Sequence, residues 1–197
     1  GFCSSQFGEI EGIKGKDKYL PHCLGHEACA KVVSFGPKVK KVKKNDLVVL
    51  HWMKSLGKDC GRIIYKSDNQ NNTINSGKIT TFSKYSMISE NRLTKIPSKK
   101  YNLKILPLMG CSLSVALSTL EKILKVKTKK NILIIGSGAL GIPMIHYCNK
   151  LLLSNIDILE KKQKALKKSK RFGATNCYSS YNNVDLVKKL RRNFYHY

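Results

Sequence analysis

The sequence predicts an α/β chain in two parts, a β-rich first half followed by the opening half of a doubly wound parallel sheet. Three observations carry this. Short apolar runs separated by Gly, Pro and Asn fill the first hundred residues. From Ile105 the pattern turns to strands and helices in alternation. An apolar strand, 131–135, runs directly into Gly136-Ser-Gly138-Ala-Leu-Gly141.

The elements are expected in this order. Residues 7–22, with Gly, Lys and Pro, read as a loop, and 27–35 alternate well enough for a strand. Gly36-Pro37 is a turn, Val39–Lys44 a basic exposed stretch, and Leu47–Leu50 a short buried strand. Residues 53–79 are polar and rich in Gly and Asn, so they read as one long loop. Phe82–Ile88 and Leu93–Ile96 follow as short strands. Residues 107–124 suit a helix, because Leu113, Leu117, Leu120 and Leu124 form one stripe. Beyond the strand at 131–135 come a helix (139–152), a strand (155–159), a charged helix (161–171) and a strand near 174–178. The expected domain boundary lies between residues 112 and 113.

Composition narrows the function classes. A chain of 197 residues with 42% hydrophobic content can bury a core. No apolar run is long enough to cross a bilayer, and residues 1–30 lack the pattern of a secretory leader. The formal charge of +25 raises nucleic-acid binding through counterion release at phosphates. The lysines are spread along the whole chain, however, and no helix-turn-helix or aromatic stacking platform stands out, so nucleic acid is disfavoured. The seven cysteines lack the paired spacing of a small disulfide domain and read as cytoplasmic thiols or ligands.

The glycine turn has the context that a dinucleotide fingerprint requires. Gly136 permits the tight turn, Gly138 lets backbone approach a pyrophosphate, and Gly141 lets helix and strand pack closely. The helix start then presents free N–H groups to phosphate. Glu160 ends the next strand, 24 residues after Gly136, where an acidic side chain would grip ribose hydroxyls. A carboxylate there repels a 2′-phosphate and favours NAD over NADP, although Lys161 and Lys162 follow at once. The plainer reading of Glu160 is the start of a surface helix.

Cys3, His26 and Cys111 make a Cys₂His set, the ligand type of a catalytic zinc with an open fourth position. Taken singly, each has a commonplace structural role. In strand geometry His26 points away from Cys23 and Cys29, which are therefore expected to be packing residues.

Together these motifs carry a resemblance. Gly1-Phe-Cys3-Ser-Ser5, Leu24-Gly-His26-Glu27-Ala, Gly36-Pro-Lys-Val with Asn45-Asp46, Gly110-Cys111 and the glycine turn are similar, in order and approximate spacing, to the zinc-containing medium-chain alcohol dehydrogenases. The resemblance implies a GroES-like catalytic domain before a Rossmann domain. It also implies Cys3, His26 and Cys111 as zinc ligands, Glu27 as the acidic residue behind the metal, and Ser5 as the hydroxyl that passes the substrate proton. Trp52 falls where the family often lines its substrate pocket with an aromatic; a core tryptophan is the alternative. The implied activity is hydride transfer from a small alcohol or polyol to NAD, in an enzyme that is a homo-oligomer at full length.

Departures from the family pattern also shape the expectations. Gln6 stands where the family often has Asp, which leaves the support behind the metal ligands open. Val115 stands where a Thr often meets the nicotinamide. Residues 53–79 hold only Cys60, so no structural zinc is expected. The family continues on both sides of this sequence. The chain is therefore expected to be cut short at both ends, poorly stable alone, prone to associate and weakly active. The rivals are a zinc-free reductase of the same superfamily, an inactive remnant, and a basic nucleic-acid binder.

Overall fold

Leu47–His51 is the apolar run around which the first part of the molecule is built. The computed structural model describes residues 1–13, 15–68, 72–97, 101–179 and Lys188. It divides the chain into two units, Gly1–Ser112 and Leu113–Tyr197. The terminal run Arg191–Tyr197 lies outside the described residues.

In the first unit, helix α1 (Ser5–Ile10) precedes strands β1 (Glu27–Lys31), β2 (Leu47–His51), β3 (Ile63–Lys66), β4 (Thr73–Gly77) and β5 (Leu93–Lys95). β2 is central, pairing antiparallel with β1 on one side and β5 on the other. A central strand covered on both faces needs apolar residues at successive positions, which explains the unbroken Leu47-Val-Val-Leu50 run. Val42, Val48, Leu50 and Leu93 form the core beneath it.

Several expectations need correction here. β1 ends at Lys31 rather than at residue 35, because Lys31 faces Leu47, the first residue of its partner. Val32 instead exchanges backbone hydrogen bonds with the Asn45-Asp46 turn, where Asn45 takes φ 72°. The stretch expected to be one long loop contains the β3–β4 hairpin, with a register shift between Ile63 and Ile64. Phe82–Ile88 is not a strand. It is held by other means: Phe82 stacks on Phe2 at 5.5 Å, and the Met87 N–H donates to Tyr65 Oη at 2.9 Å. The first turn of the expected loop at 7–22 is α1.

The expected helix at 107–124 is broken. A 3₁₀ turn spans Leu106–Gly110, helix α2 spans Ser112–Ser118, and a π-helical turn spans Thr119–Ile123. The break falls at Cys111, whose φ −147° and ψ −90° lie outside any helix. Gly110 explains it. A Cβ there would stand 2.2 Å from the Leu50 carbonyl oxygen, so only glycine lets this turn lie against β2.

A carboxylate ties the loop at 53–61 to the rest of the first unit. Glu90, 5% exposed, accepts the N–H groups of Lys40 (2.6 Å), Lys41 (2.7 Å) and Lys58 (2.6 Å). The Lys41 ammonium donates in turn to the carbonyls of Leu56 at 2.7 Å and Leu93 at 2.8 Å. The backbone donors of Lys58 and Lys41 hold the Glu90 carboxyl below its ordinary value against the opposing effect of burial.

The second unit repeats strand, helix, strand. β6 (Asn131–Ile135), β7 (Asn155–Leu159) and β8 (Asn176–Tyr178) are parallel, in the order β6-β7-β8, with Ile134 facing Ile158 and Ile158 facing Cys177. Helices α3 (Gly141–Lys150) and α4 (Gln163–Arg171) connect them. Leu120, Ile134, Ile145, Cys148, Leu153, Ile156, Ile158 and Leu166 form one apolar cluster. α4 turns Leu166 and Ser169 inward and leaves Lys164, Lys167, Lys168, Lys170 and Arg171 exposed. At the turn between β6 and α3, a Cβ on Gly141 would stand 2.1 Å from the Gly136 carbonyl oxygen. A Cβ on Gly138 would meet nothing within 4 Å.

Two sets of substitutions test this account. Glu90→Gln leaves backbone donors poorly satisfied and should cost about 2–4 kcal/mol at neutral pH in a urea melt. Because the folded Glu90 pKa is depressed, its stabilisation is present above the ordinary carboxylate value and is lost as pH falls through the lower folded one. The gap between the two proteins should therefore narrow in acid; a gap independent of pH would contradict the assignment. Gly141→Ala should destabilise the second unit by about 1–3 kcal/mol, since the obstacle is backbone, whereas Gly138→Ala should stay within about 0.5 kcal/mol.

Candidate functional site

Three separate segments of the first unit bring their side chains to one place. Cys3 sits on the turn entering α1, His26 immediately before β1, and Cys111 at the break before α2. His26 Nε2 lies 3.3 Å from Cys111 Sγ, and Cys111 Sγ lies 3.8 Å from Cys3 Sγ. All three ligand atoms fall within 4.8 Å of one another, the one such cluster of His, Cys, Asp or Glu among the described residues. Tetrahedral zinc, with bonds of ~2.3 Å to sulfur and ~2.0–2.1 Å to nitrogen, has edges of about 3.8 Å between sulfurs and about 3.6 Å from sulfur to nitrogen. The donor set therefore fits zinc in both chemistry and spacing. Cys23 and Cys29 are not part of the cluster.

The surroundings are built tightly. Glu27, 3% exposed, lies behind the cluster, packed against Gly1 and Gly110. The Gly1 nitrogen donates to the Glu27 carbonyl at 3.0 Å. Burial first, then the Cys3 thiol and the Glu27 charge, push the Cys111 thiol up to about 12. The Trp52 side chain, hydrogen-bonded to Cys111, acts in the opposite direction. A metal bound here must displace that proton. Ser5 Oγ donates to Cys3 Sγ at 3.4 Å, so the hydroxyl stands at the edge of the cluster. Trp52 is 47% exposed, and its carbonyl accepts from Arg92. Part of its ring thus remains open to a ligand.

The segment carrying His26 owes its path to glycine. Gly25 has φ +93°, and a Cβ on it would stand 2.3 Å from Thr81 Oγ1 and 2.9 Å from the Phe82 nitrogen. The Leu24 carbonyl accepts from Thr80 Oγ1 (2.7 Å), Thr81 N (3.2 Å) and Phe82 N (3.1 Å). Sequence reasoning missed these supports, and it left open the role of Gln6, which is 3% exposed and accepts the Gly25 N–H. Its place beside Ser5 was the available signal.

In the second unit, Gly136 takes φ +89° at the end of β6, and its N–H donates to the Leu159 carbonyl at 2.8 Å. Glu160 meets the same turn. Its Oε2 accepts the Ser137 N–H at 2.9 Å and the Ser137 hydroxyl at 3.3 Å, while its Oε1 accepts the Lys162 N–H at 2.9 Å. These donors, Ser137 foremost, hold the Glu160 carboxyl below its ordinary value. The space at Gly138 is open, with nothing within 4 Å of a Cβ there, which leaves room for a phosphate group to approach the backbone.

Comparison with known proteins gives the same fold. The family profile described as "Alcohol dehydrogenase GroES-like domain" matches residues 1–98. S-(hydroxymethyl)glutathione dehydrogenase of Escherichia coli O1:K1 / APEC is 24% identical over 204 residues, covering 90% of this chain and 54% of that protein. Benzyl alcohol dehydrogenase from Acinetobacter calcoaceticus superposes with a TM-score of 0.81 at 21% identity, over 98% of this chain and 57% of that one. An alcohol dehydrogenase zinc-binding domain protein from Burkholderia ambifaria superposes with a TM-score of 0.78 at 22% identity, over 98% of this chain and 58% of that one. The chain thus spans about half the length of the curated relatives it matches. It matches the alcohol dehydrogenase GroES-like domain over residues 1–98 and shares the fold of solved alcohol dehydrogenases over 98% of its length.

Proposed function

We propose that this chain carries the zinc-binding and dinucleotide-binding parts of an oxidoreductase that takes hydride from an alcohol or polyol. The observation that carries the reading is the approach of Cys3, His26 and Cys111 to within 4.8 Å. A zinc-free reductase of the same superfamily would have no use for two thiols converging on an imidazole. Zinc held by these residues supplies Lewis acidity at its open position. A nicotinamide dinucleotide held at the glycine turn supplies the hydride acceptor.

The chain's own residues do the rest. Cys3, His26 and Cys111 orient the metal. Glu27, buried against Gly1 and Gly110, is the acidic residue behind them. Ser5 is placed to carry the substrate proton outward through its hydroxyl. The exposed part of the Trp52 ring walls the alcohol's apolar portion. Gly138 admits the pyrophosphate, and Glu160 accepts ribose hydroxyls and disfavours a 2′-phosphate. The relatives support a small-molecule substrate, and no described helix is long and apolar enough to cross a membrane. A cytoplasmic site of action and assembly as a homo-oligomer in a longer chain belong to the same proposal.

Metal stripping followed by zinc titration against a chromophoric chelator should give one tight equivalent per chain. Cys3→Ser, His26→Ala and Cys111→Ser should each abolish it; tight binding that survives all three would sink the ligand assignment. Calorimetric titration should show NAD binding more tightly than NADP. Glu160→Ala should weaken NAD and narrow the preference, and Gly138→Ala should lower dinucleotide affinity without a change in melt. Tighter NADP binding by the unaltered chain would reverse the assignment of Glu160.

A further inference from the structure

Gln6 is a polar side chain only 3% exposed, on a helix of six residues. A buried amide is costly unless both of its ends are bonded. Here both are. Oε1 accepts the Gly25 N–H, and Nε2 donates to Glu9 Oε2 at 2.8 Å. The Gln6 backbone N–H donates to the Cys3 carbonyl at 3.0 Å. One residue is therefore bonded through its main chain to Cys3 and through its side chain to the residue preceding His26.

Apart from the Gly1 nitrogen, which donates to the Glu27 carbonyl at 3.0 Å and ties the chain two residues before Cys3 to the residue after His26, the other supports of these two segments act differently. The Leu24 carbonyl is tied to residues 80–82, not to the Cys3 turn. Phe2 stacks on Phe82 with an interplanar angle of 1°, which joins the same regions indirectly. Stacked rings slide at little cost, whereas a directional hydrogen bond from a fixed donor sets a distance. Gly25 itself carries no side chain that could lock its position. The contact from Gln6 to Glu9 then serves to turn the amide so that its oxygen, not its nitrogen, faces Gly25.

We infer that Gln6 is a positioning residue for the metal cluster: its amide sets the separation of Cys3 and His26 through the Gly25 backbone. This rests on the zinc reading above. Metal affinity is sensitive to such supports, and losing a partner behind a ligand typically lowers it roughly 10–100-fold. The length of the side chain should matter as much as its polarity. Asparagine keeps the amide but is one methylene short of Gly25. Leucine keeps the volume and loses both bonds. Glutamate keeps the acceptor for Gly25 N–H but sets a carboxyl against the Glu9 carboxylate, a clash that Glu9→Gln relieves by supplying a donor in place of that carboxylate.

The test uses the full chain loaded with Co(II) in place of zinc, together with zinc competition against a chelator. Thiolate-to-cobalt and d–d absorption report the coordination geometry, and melts of the metal-free proteins report folding separately. All metal measurements are made well below each protein's melt. Gln6→Leu and Gln6→Asn should lose roughly 10–100-fold in metal affinity and show weakened, shifted d–d bands. Gln6→Glu combined with Glu9→Gln, which swaps donor and acceptor between the two positions, should stay closer to the unaltered protein than to Gln6→Leu. A role confined to stability would move the melts and leave the cobalt spectrum and affinity alone, and that outcome overturns the inference. Should Gln6→Leu not fold, Gln6→Asn decides by the same measurements. Failure of the unaltered chain to take Co(II) would instead overturn the zinc reading, and the role of Gln6 with it.

Discussion

The contact between Gly110 and the backbone of Leu50 governs the first unit. Any side chain at Gly110 would collide with a carbonyl already committed to the central strand. With glycine there, the 3₁₀ turn reaches the sheet, helical geometry fails at the next residue, and Cys111 faces His26 rather than joining α2. The same close approach brings the turn against the Cα and Cβ of Glu27, whose carboxylate lies beside Gly1 and is buried. A site assembled from residues 3, 26 and 111 depends on contacts of this kind, because no single local segment contains more than one ligand.

How much of this could be read from the chain depended on how local each signal was. The glycine turn was legible because strand, turn and helix start are contiguous, so spacing alone specifies the geometry. β6, α3, β7, α4 and β8 followed from the same periodic logic. Cys3, His26 and Cys111 were legible only together, through their resemblance to a family pattern, since nothing in their spacing implies convergence. The β3–β4 hairpin was hidden because its strands are short and half polar, and its pairing shifts register between Ile63 and Ile64. The break at Cys111 was hidden because the leucine stripe continues through it. Helical period reports which residues are buried, not whether a backbone collision interrupts the helix. Gln6 looked like a weakened substitute for a carboxylate; only the fold shows that it reaches Gly25.

The two carboxylates with lowered pKa, Glu90 and Glu160, show one device used for two ends. Both take at least one backbone donor from a segment distant in the chain, Lys58 for Glu90 and Ser137 for Glu160. Glu90 uses both carboxylate oxygens to hold loops. Glu160 is pinned to Ser137 and Lys162, yet it stands at the carboxyl end of β7, where parallel sheets present their binding crevices. Pinning a carboxylate before a ligand arrives reduces the ordering that binding must later impose.

The exposed lysines of α4 bear on encounter rather than on grip. This helix follows Glu160 directly and carries a dense positive field, within a chain of formal charge +25. A dinucleotide of the kind proposed above brings its negative charge in the pyrophosphate, so the field would draw it toward this unit from distances on the order of a Debye length, about 8–10 Å in physiological salt. Added salt would erode that attraction while leaving short contacts at the glycine turn largely intact. Under the proposed function, arrival and retention of an anionic cofactor would be governed by different parts of the same unit, the first by a diffuse cloud of lysine charge and the second by backbone geometry at three glycines.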